Sequence, residues 1–320
     1  MPFRAGLATN ESLLVTCLDP RTHTAYAECR RLAARHYENF PVASRLVPSD
    51  KRDALAVIYA FARCADDFAD EPGVAGRLAA LADWRSRLDA CFAGGADHPV
   101  FIALADVVRR FSLSREHFNN LICAFESDVR TNRHADFASL QEYCRCSANP
   151  VGRLVLELFG HRNAELFMLS DSICTALQLT NFWQDTTIDL GRDRIYLPLE
   201  ELAQFGLSMS DLQDLMSARD SVVRNAPLKR WQDLMAFQVR RTRKLFEHGS
   251  SLPEQVAPEL RRQLRMTWLG GMTILARIES VRYDVFRQRP ALSKVDFIRL
   301  YFKSRRAPGT VKRAAERSRT

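Results

Sequence analysis

Five oxygen-bearing side chains stand at one repeated spacing in two distant parts of the chain. Asp66 and Asp70 lie four residues apart in "ARCADDFAD", and Asn181, Asp185 and Asp189 lie at i, i+4 and i+8 in "TNFWQDTTID". A helix puts each set on one face. Like charges so placed repel by about 0.2–0.5 kcal/mol on an exposed helix, and by more where water is excluded. The first set, with Asp67 and Glu71 beside it, follows the apolar run "ALAVIYAFA". Taken alone it reads equally well as a solvated helix end, although acids there oppose the macrodipole. The second set tips the balance, because Leu177, Leu179, Phe182 and Trp183 surround it as in a helix crossing a core. Two such faces across a cavity make an all-oxygen site. Oxygen donors that leave coordination open suit Mg²⁺, which keeps waters and takes phosphate oxygens from a substrate. Asp66, Asp70, Asn181, Asp185 and Asp189 are therefore candidate metal ligands, and the implied ligand is a magnesium diphosphate.

Cations near these acids fit the same chemistry. Arg63 lies three residues before Asp66, and a planar guanidinium suits bidentate phosphate contacts. An ion pair with Asp66 or Asp67 along the helix is an equally simple role for it. Arg192 and Arg194 follow the second set and are further phosphate candidates, or plain surface charge.

The elements that must position these groups read as helices. Apolar residues recur at helical period over most of the 320 residues, no Asn-Gly-type hairpin signal separates alternating runs, and Gly and Pro are sparse at 13 each. The expected helices cover 22–38, 49–70, 74–92, 99–111, 114–130, 137–145, 151–158, 162–189, 208–224, 226–248, 254–289 and 293–303. No repeat or internal linker divides them, so 1–303 is expected to be one all-α domain and 304–320 a basic, disordered tail.

The net charge is +8, and Tyr301–Thr320 holds seven Lys or Arg against one Glu, which leaves only +2 for the rest. A body without a basic stripe argues against nucleic-acid binding. The tail could hold the protein peripherally against anionic lipid. Eight scattered cysteines form no C-x-x-C pair and read as reduced core thiols of a cytoplasmic protein. No signal peptide and no run of membrane-spanning length is visible, so the expectation is a soluble protein, or one peripheral to the inner membrane surface.

The pair "YAFARCADDFADE" and "QLTNFWQDTTIDLGRDRIYLP" resembles the squalene/phytoene synthase family, and the likeness extends from about His36 to Arg299. It implies the isoprenoid (terpenoid) synthase fold, with a central cavity between two acidic helices, and Mg²⁺-dependent chemistry on prenyl diphosphates. Asp66 and Asp70 match the family's first aspartate motif, and Asn181, Asp185 and Asp189 its second. Tyr59 and Arg63 match positions that contact diphosphate. Tyr143, in "EYCRCSANPVGRL", matches a cavity tyrosine implicated in proton handling, and His36 and Phe40, in "HYENFPVAS", match an entry motif. Phe40, Tyr59, Tyr143, Phe182 and Trp183 are candidates to face a carbocation, with Phe182 and Trp183 pointing apart on their helix. For each of them a plain core role competes. Tyr283 belongs to a segment resembling the family's last long helix, where lining the cavity and filling the core are equally open.

Within the family, "NFPVAS", "YCRCSANPVGRLVLELFG" and "NFWQD" look most like the hydroxysqualene-forming branch of bacterial hopanoid biosynthesis. That branch ionises presqualene diphosphate, rearranges the cation and captures water. The family's second motif usually has Arg before its central Asp; here Gln184 stands there, and Asn39 replaces a usual Ser. Gln184 can donate and accept, which suits placing the capturing water. The rival readings are head-to-head condensation of two farnesyl or other prenyl diphosphates, giving presqualene diphosphate, squalene or phytoene, and a non-catalytic helical binding protein.

Overall fold

The computed structural model describes residues 19–35, 47–70, 76–217 and 225–305. Among these the chain is helical, and the only extended pairing is an isolated parallel bridge between Arg133 and Ile195. The helices are α1 (Pro20–Arg35), α2 (Ser49–Asp70), α3 (Arg77–Phe92), α4 (Pro99–Phe111), α5 (Arg115–Arg130), α6 (Phe137–Ser147) and α7 (Asn149–Leu158), followed by α8 (Ala164–Gly191), α9 (Leu199–Gln204), α10 (Met209–Ser217), α11 (Asn225–His248), α12 (Leu252–Gln255), α13 (Pro258–Ser280) and α14 (Lys294–Lys303). A 3₁₀ turn at Gly249–Ser251 joins α11 to α12.

Local chemistry sets many of the boundaries. His98 accepts the Val100 amide ahead of Pro99, and Ser112 ends α4 in the left-handed region. Asp136 and Ser139 form a reciprocal capping box on α6, as Ser293 and Asp296 do on α14. Asn163 accepts the Glu165 amide and starts α8.

Buried apolar side chains form two cores. One joins α1 to α5 around Phe61, Trp84, Phe101 and Phe118. The other gathers α8, α11 and α13 around Trp183, Trp231 and Phe246. Helix α7 belongs to both: Leu154 and Leu158 lie in the first core, Leu156 in the second, and Val155 packs on each. Helix α2 packs mainly on α1, α4 and α5, and α8 mainly on α7, α11 and α13. The two acidic segments therefore belong to different cores.

Two expectations on the elements are corrected. The helix expected over 254–289 is interrupted at Val256–Ala257 before Pro258, and α13 ends at Ser280, where Arg282 (φ 52°) and Tyr283 (φ 62°) turn left-handed. Of the helix expected over 208–224, Met209–Ser217 is helical and 218–224 lies outside the described residues. Helix α9 was not expected. His36, Asn39, Phe40 and Glu71 lie outside the described residues, as do Cys17 and 306–320. Seven other cysteines are free thiols. No helix among the described residues is long and apolar enough to cross a membrane.

Candidate active site

Asp66 and Asp70 sit on the last turns of α2, and Asn181, Asp185 and Asp189 on the C-terminal half of α8. Arg63 spans its own helix to both Asp66, at 3.0 Å, and Asp67. Asn181 donates its amide to Asp185 at 2.8 Å. Arg194, just past α8, reaches back to Asp70 at 2.5 Å and so ties the two acidic segments together. Arg192 approaches the same carboxylate only to 3.9 Å and is mostly exposed. Of the two arginines after the second motif, Arg194 is the one built into the cleft.

The acids sense one another across the cleft. Burial pushes the Asp66 carboxyl up to about 6, and the charge of Asp70 adds to it while Arg63 opposes. Burial likewise raises Asp189 to about 7, helped by Asp185 and Asp70 and opposed by Arg194 and Arg192. In each case burial is the larger cause and the neighbouring carboxylates add to it. The donor set is oxygen only, so it fits a hard divalent cation. Among the described residues no three His, Cys, Asp or Glu side chains converge into a chelate. The carboxylates stand on opposing helices, an arrangement suited to ions shared with a phosphate-bearing ligand. Bound there, Mg²⁺ would be held by Asp66, Asp70, Asn181, Asp185 and Asp189.

Four groups that the sequence reading did not single out complete the site. Asp128, on α5, accepts the Tyr143 hydroxyl at 3.0 Å. Burial drives its carboxyl to about 7; the Tyr143 hydrogen bond and Arg194 oppose this, and Asp70 and Asp66 add to it. Burial, then the Asp128 charge, holds the Tyr143 hydroxyl far above its ordinary value. Tyr196 stacks on Phe182 with ring centroids 3.8 Å apart and planes at 5°, and Tyr143 and His134 flank it. Arg289 donates to Asp185 at 2.5 Å from the linker between α13 and α14. A sequence signal existed for Asp128 alone: it falls at i+7 and i+4 from Leu121 and Ala124, an acid on the buried stripe of α5. Arg289 and Tyr196 lie in linkers, where periodicity gives no signal.

The remaining candidates separate clearly. Phe182 meets Tyr143 and Tyr196, whereas Trp183 is fully buried and donates to Thr242 at 2.9 Å, a core role. Tyr59 is part-buried on α2, where its hydroxyl is raised by burial and senses Arg63, Asp66 and Asp67. Tyr283 senses Glu279, Arg240 and Arg243 beyond its own burial, and its carbonyl accepts the Trp231 indole. The Gln184 amide nitrogen is held by the Pro290 carbonyl at 2.5 Å, which fixes the linker that presents Arg289.

Main-chain hydrogen bonds hold the walls in place. The segment after α5 zips to the segment after α8: Ile195 donates to Asn132, Leu199 to His134 and Glu200 to Ala135. The Asn132 side chain grips the Asp193 carbonyl and carboxylate, and Arg133 grips Asp193 as well. Asp193 itself turns left-handed at φ 57°. This pairing carries Arg194 and Tyr196 into the cleft.

The squalene/phytoene synthase family model matches residues 33–296. The chain belongs to the squalene/phytoene synthase family. It is 39% identical to a squalene synthase, HpnC, from Alicyclobacillus acidocaldarius, whose crystal structure it matches with a TM-score of 0.74 over 82% of this chain and 95% of that one. It is 33% identical over 278 residues to the 15-cis-phytoene synthase of Synechococcus elongatus, and 32% identical over 279 residues to a phytoene synthase of Arthrospira platensis. Each of these alignments covers 83% of this chain and 87% of the relative. A dehydrosqualene synthase structure, 22% identical, shares the fold with a TM-score of 0.77. The family member described here thus has the expected isoprenoid synthase architecture, with the two aspartate motifs on facing segments.

Proposed function

We propose that this family member converts presqualene diphosphate to hydroxysqualene and diphosphate. The carbon–oxygen bond to diphosphate breaks and its electron pair leaves with the diphosphate. The cyclopropylcarbinyl cation rearranges, a water oxygen bonds to the new cationic carbon, and that water gives up a proton. The observation that carries the diphosphate chemistry is the bridged acid cleft, with Arg194 on Asp70 at 2.5 Å between the two motifs. Identity to the squalene synthase HpnC, at 39%, exceeds that to the phytoene synthases, at 32–33%, and supports the finer reading together with Gln184 before Asp185.

Charge stabilisation at the leaving group is the term that usually dominates such a reaction. Mg²⁺, when bound, supplies compact positive charge to the diphosphate. Arg63, Arg194 and Arg192 offer guanidinium groups to the same oxygens. Tyr59 stands beside Arg63 on α2 and contributes a hydroxyl. Tyr143, Phe182 and Tyr196 present aromatic faces to the cation, each worth about 1–2 kcal/mol where water is excluded. The Asp128–Tyr143 pair is placed to hold a proton at the Tyr143 oxygen or accept one at Asp128. His36 and Phe40, outside the described residues, are assigned to the entrance on the resemblance of their motif alone, and Gln184, its nitrogen on Pro290, keeps an amide oxygen to orient water.

Condensation of two prenyl diphosphates is the second reading, favoured by the phytoene synthase relatives. Purified protein is incubated with presqualene diphosphate and Mg²⁺, with and without NADPH, and separately with farnesyl or geranylgeranyl diphosphate, and products are read by mass spectrometry. Hydroxysqualene without NADPH is expected from the first. Coupled products from the prenyl diphosphates, with presqualene diphosphate untouched, would overturn it. EDTA is expected to abolish turnover and excess Mg²⁺ to restore it.

A further inference from the structure

Helix α14 is amphipathic in the reverse sense. Asp296, Leu300 and Ser304 are the residues it buries, at a spacing of four. Val295, Ile298 and Phe302, at i, i+3 and i+7, form a stripe on the opposite side and are 54–58% exposed. Phe297 adds a fourth exposed apolar side chain on the same ten-residue helix. Only four other large hydrophobic side chains among the described residues are comparably exposed, Leu78, Met168, Ile188 and Leu199, and none of them is on α13 or α14.

Polar contacts fix this orientation. Arg277 pairs with Asp296 at 2.6 Å, the Arg262 guanidinium lies 3.8 Å over the Tyr301 ring, and Arg265 donates to the Ser304 carbonyl at 3.2 Å. The helix is thus held by Leu300 in the second core and by these polar contacts, with Val295, Ile298 and Phe302 outward. A surface helix normally does the opposite, and clustered exposed apolar side chains mark an interaction surface.

Charge identifies the partner. Lys294 and Arg299 flank the exposed stripe on either side along the helix wheel, Lys303 and Arg305 lie at its end, and all four are exposed. The sequence from Tyr301 to Thr320 carries a net +6. An apolar stripe bordered by cations and continued by a basic segment matches the boundary between anionic headgroups and acyl chains. A second copy of the chain would present the same cations and repel them.

We propose that α14 is an interfacial anchor that seats the protein on an anionic bilayer, with Val295, Ile298 and Phe302 in the acyl boundary and Lys294, Arg299, Lys303 and Arg305 at the headgroups. The surface is independent of which prenyl diphosphate the cleft takes.

The test uses the full chain. In sedimentation with phosphatidylcholine–phosphatidylglycerol vesicles the protein pellets, and with phosphatidylcholine alone it stays largely in solution. The double substitution I298S/F302S lowers the vesicle affinity by about tenfold or more. It leaves turnover of detergent-dispersed substrate unchanged, which separates loss of anchoring from loss of fold or of the proposed reaction. A second variant, Phe302→Trp, reports directly, because Trp84, Trp183, Trp231 and Trp268 are all buried. Its added emission is red in buffer and shifts to the blue on anionic vesicles. The proposal is overturned by unchanged pelleting of I298S/F302S, by a blue spectrum already in buffer (the face is covered by the chain itself), or by a dimer in light scattering that I298S/F302S dissociates.

Discussion

At the scale of single residues, the proposed reaction asks some groups of the cleft to balance charge and others to place a proton. Asp128 and Tyr143 are proposed for the second task, since the hydroxyl donates to a carboxyl that burial holds at about 7. Tyr143→Phe is expected to lower kcat by about 10²-fold with little change in KM, as measured by single-turnover and steady-state kinetics. Asp128→Asn keeps the hydrogen bond but removes the charge, and is expected to lose a similar factor. If Gln184 acts on water rather than only on the linker, Gln184→Ala shifts the product mixture; if it acts only through Pro290, Gln184→Ala weakens the Arg289–Asp185 contact and leaves the product ratio intact. Product analysis beside rate measurement separates the two. The aspartate motifs were legible in the sequence because helical spacing alone aligns Asp66 with Asp70, and Asn181 with Asp185 and Asp189. Asp128 was hard to see because its partner lies on another helix, and Arg289 because its place depends on how the chain turns after α13.

Elements show where local rules give way to packing. Apolar spacing continues past Ser280 through Val281, Val285 and Phe286, so a longer helix was the natural expectation. The left-handed pair Arg282–Tyr283 instead turns the chain, and both Val285 and Phe286 still reach the core. At Gly249 the requirement is close approach: an added Cβ would collide with Ile173 and stand 2.7 Å from the Leu169 carbonyl oxygen of α8. Gly249→Ala should cost about 1–3 kcal/mol in a denaturant titration, since neither backbone nor β-branched neighbour can give way freely. The cap of α14 gives a pH dependence. Ser293 hydrogen bonds and the Arg277 pair hold the Asp296 carboxyl down at about 2. A lowered folded value means that the contribution is complete above the carboxyl's ordinary 3.8 and fades as pH falls toward about 2. Amide protection factors in α14, corrected for the intrinsic exchange rate, are expected to fall below pH 4 before those of the other core helices.

Across the whole molecule, the two cores meet along α7, and the acid cleft opens where α2 and α5 of one face α8 of the other. The family fold could be read from helical patterning and the paired motifs, but the way the halves are fastened could not, because the fastening is main chain plus loop side chains that meet only in the fold. Inserting one glycine between Arg133 and His134 is expected to reduce turnover by about 10²-fold while circular dichroism stays helical, since catalytic groups tolerate little misplacement. Backbone amides and carbonyls, together with the Asn132 and Arg133 side chains on Asp193, join the stretch after α5 to the stretch after α8. The gap between the jaws is accordingly gauged by how many residues each loop contains and pinned by the side chains of Asn132, Arg133 and Asp193. Substitutions can therefore accumulate only at loop positions outside Asn132, Arg133, Asp193, Arg194 and Tyr196, while the loop lengths stay locked, and a change of product size would have to come from the cavity wall.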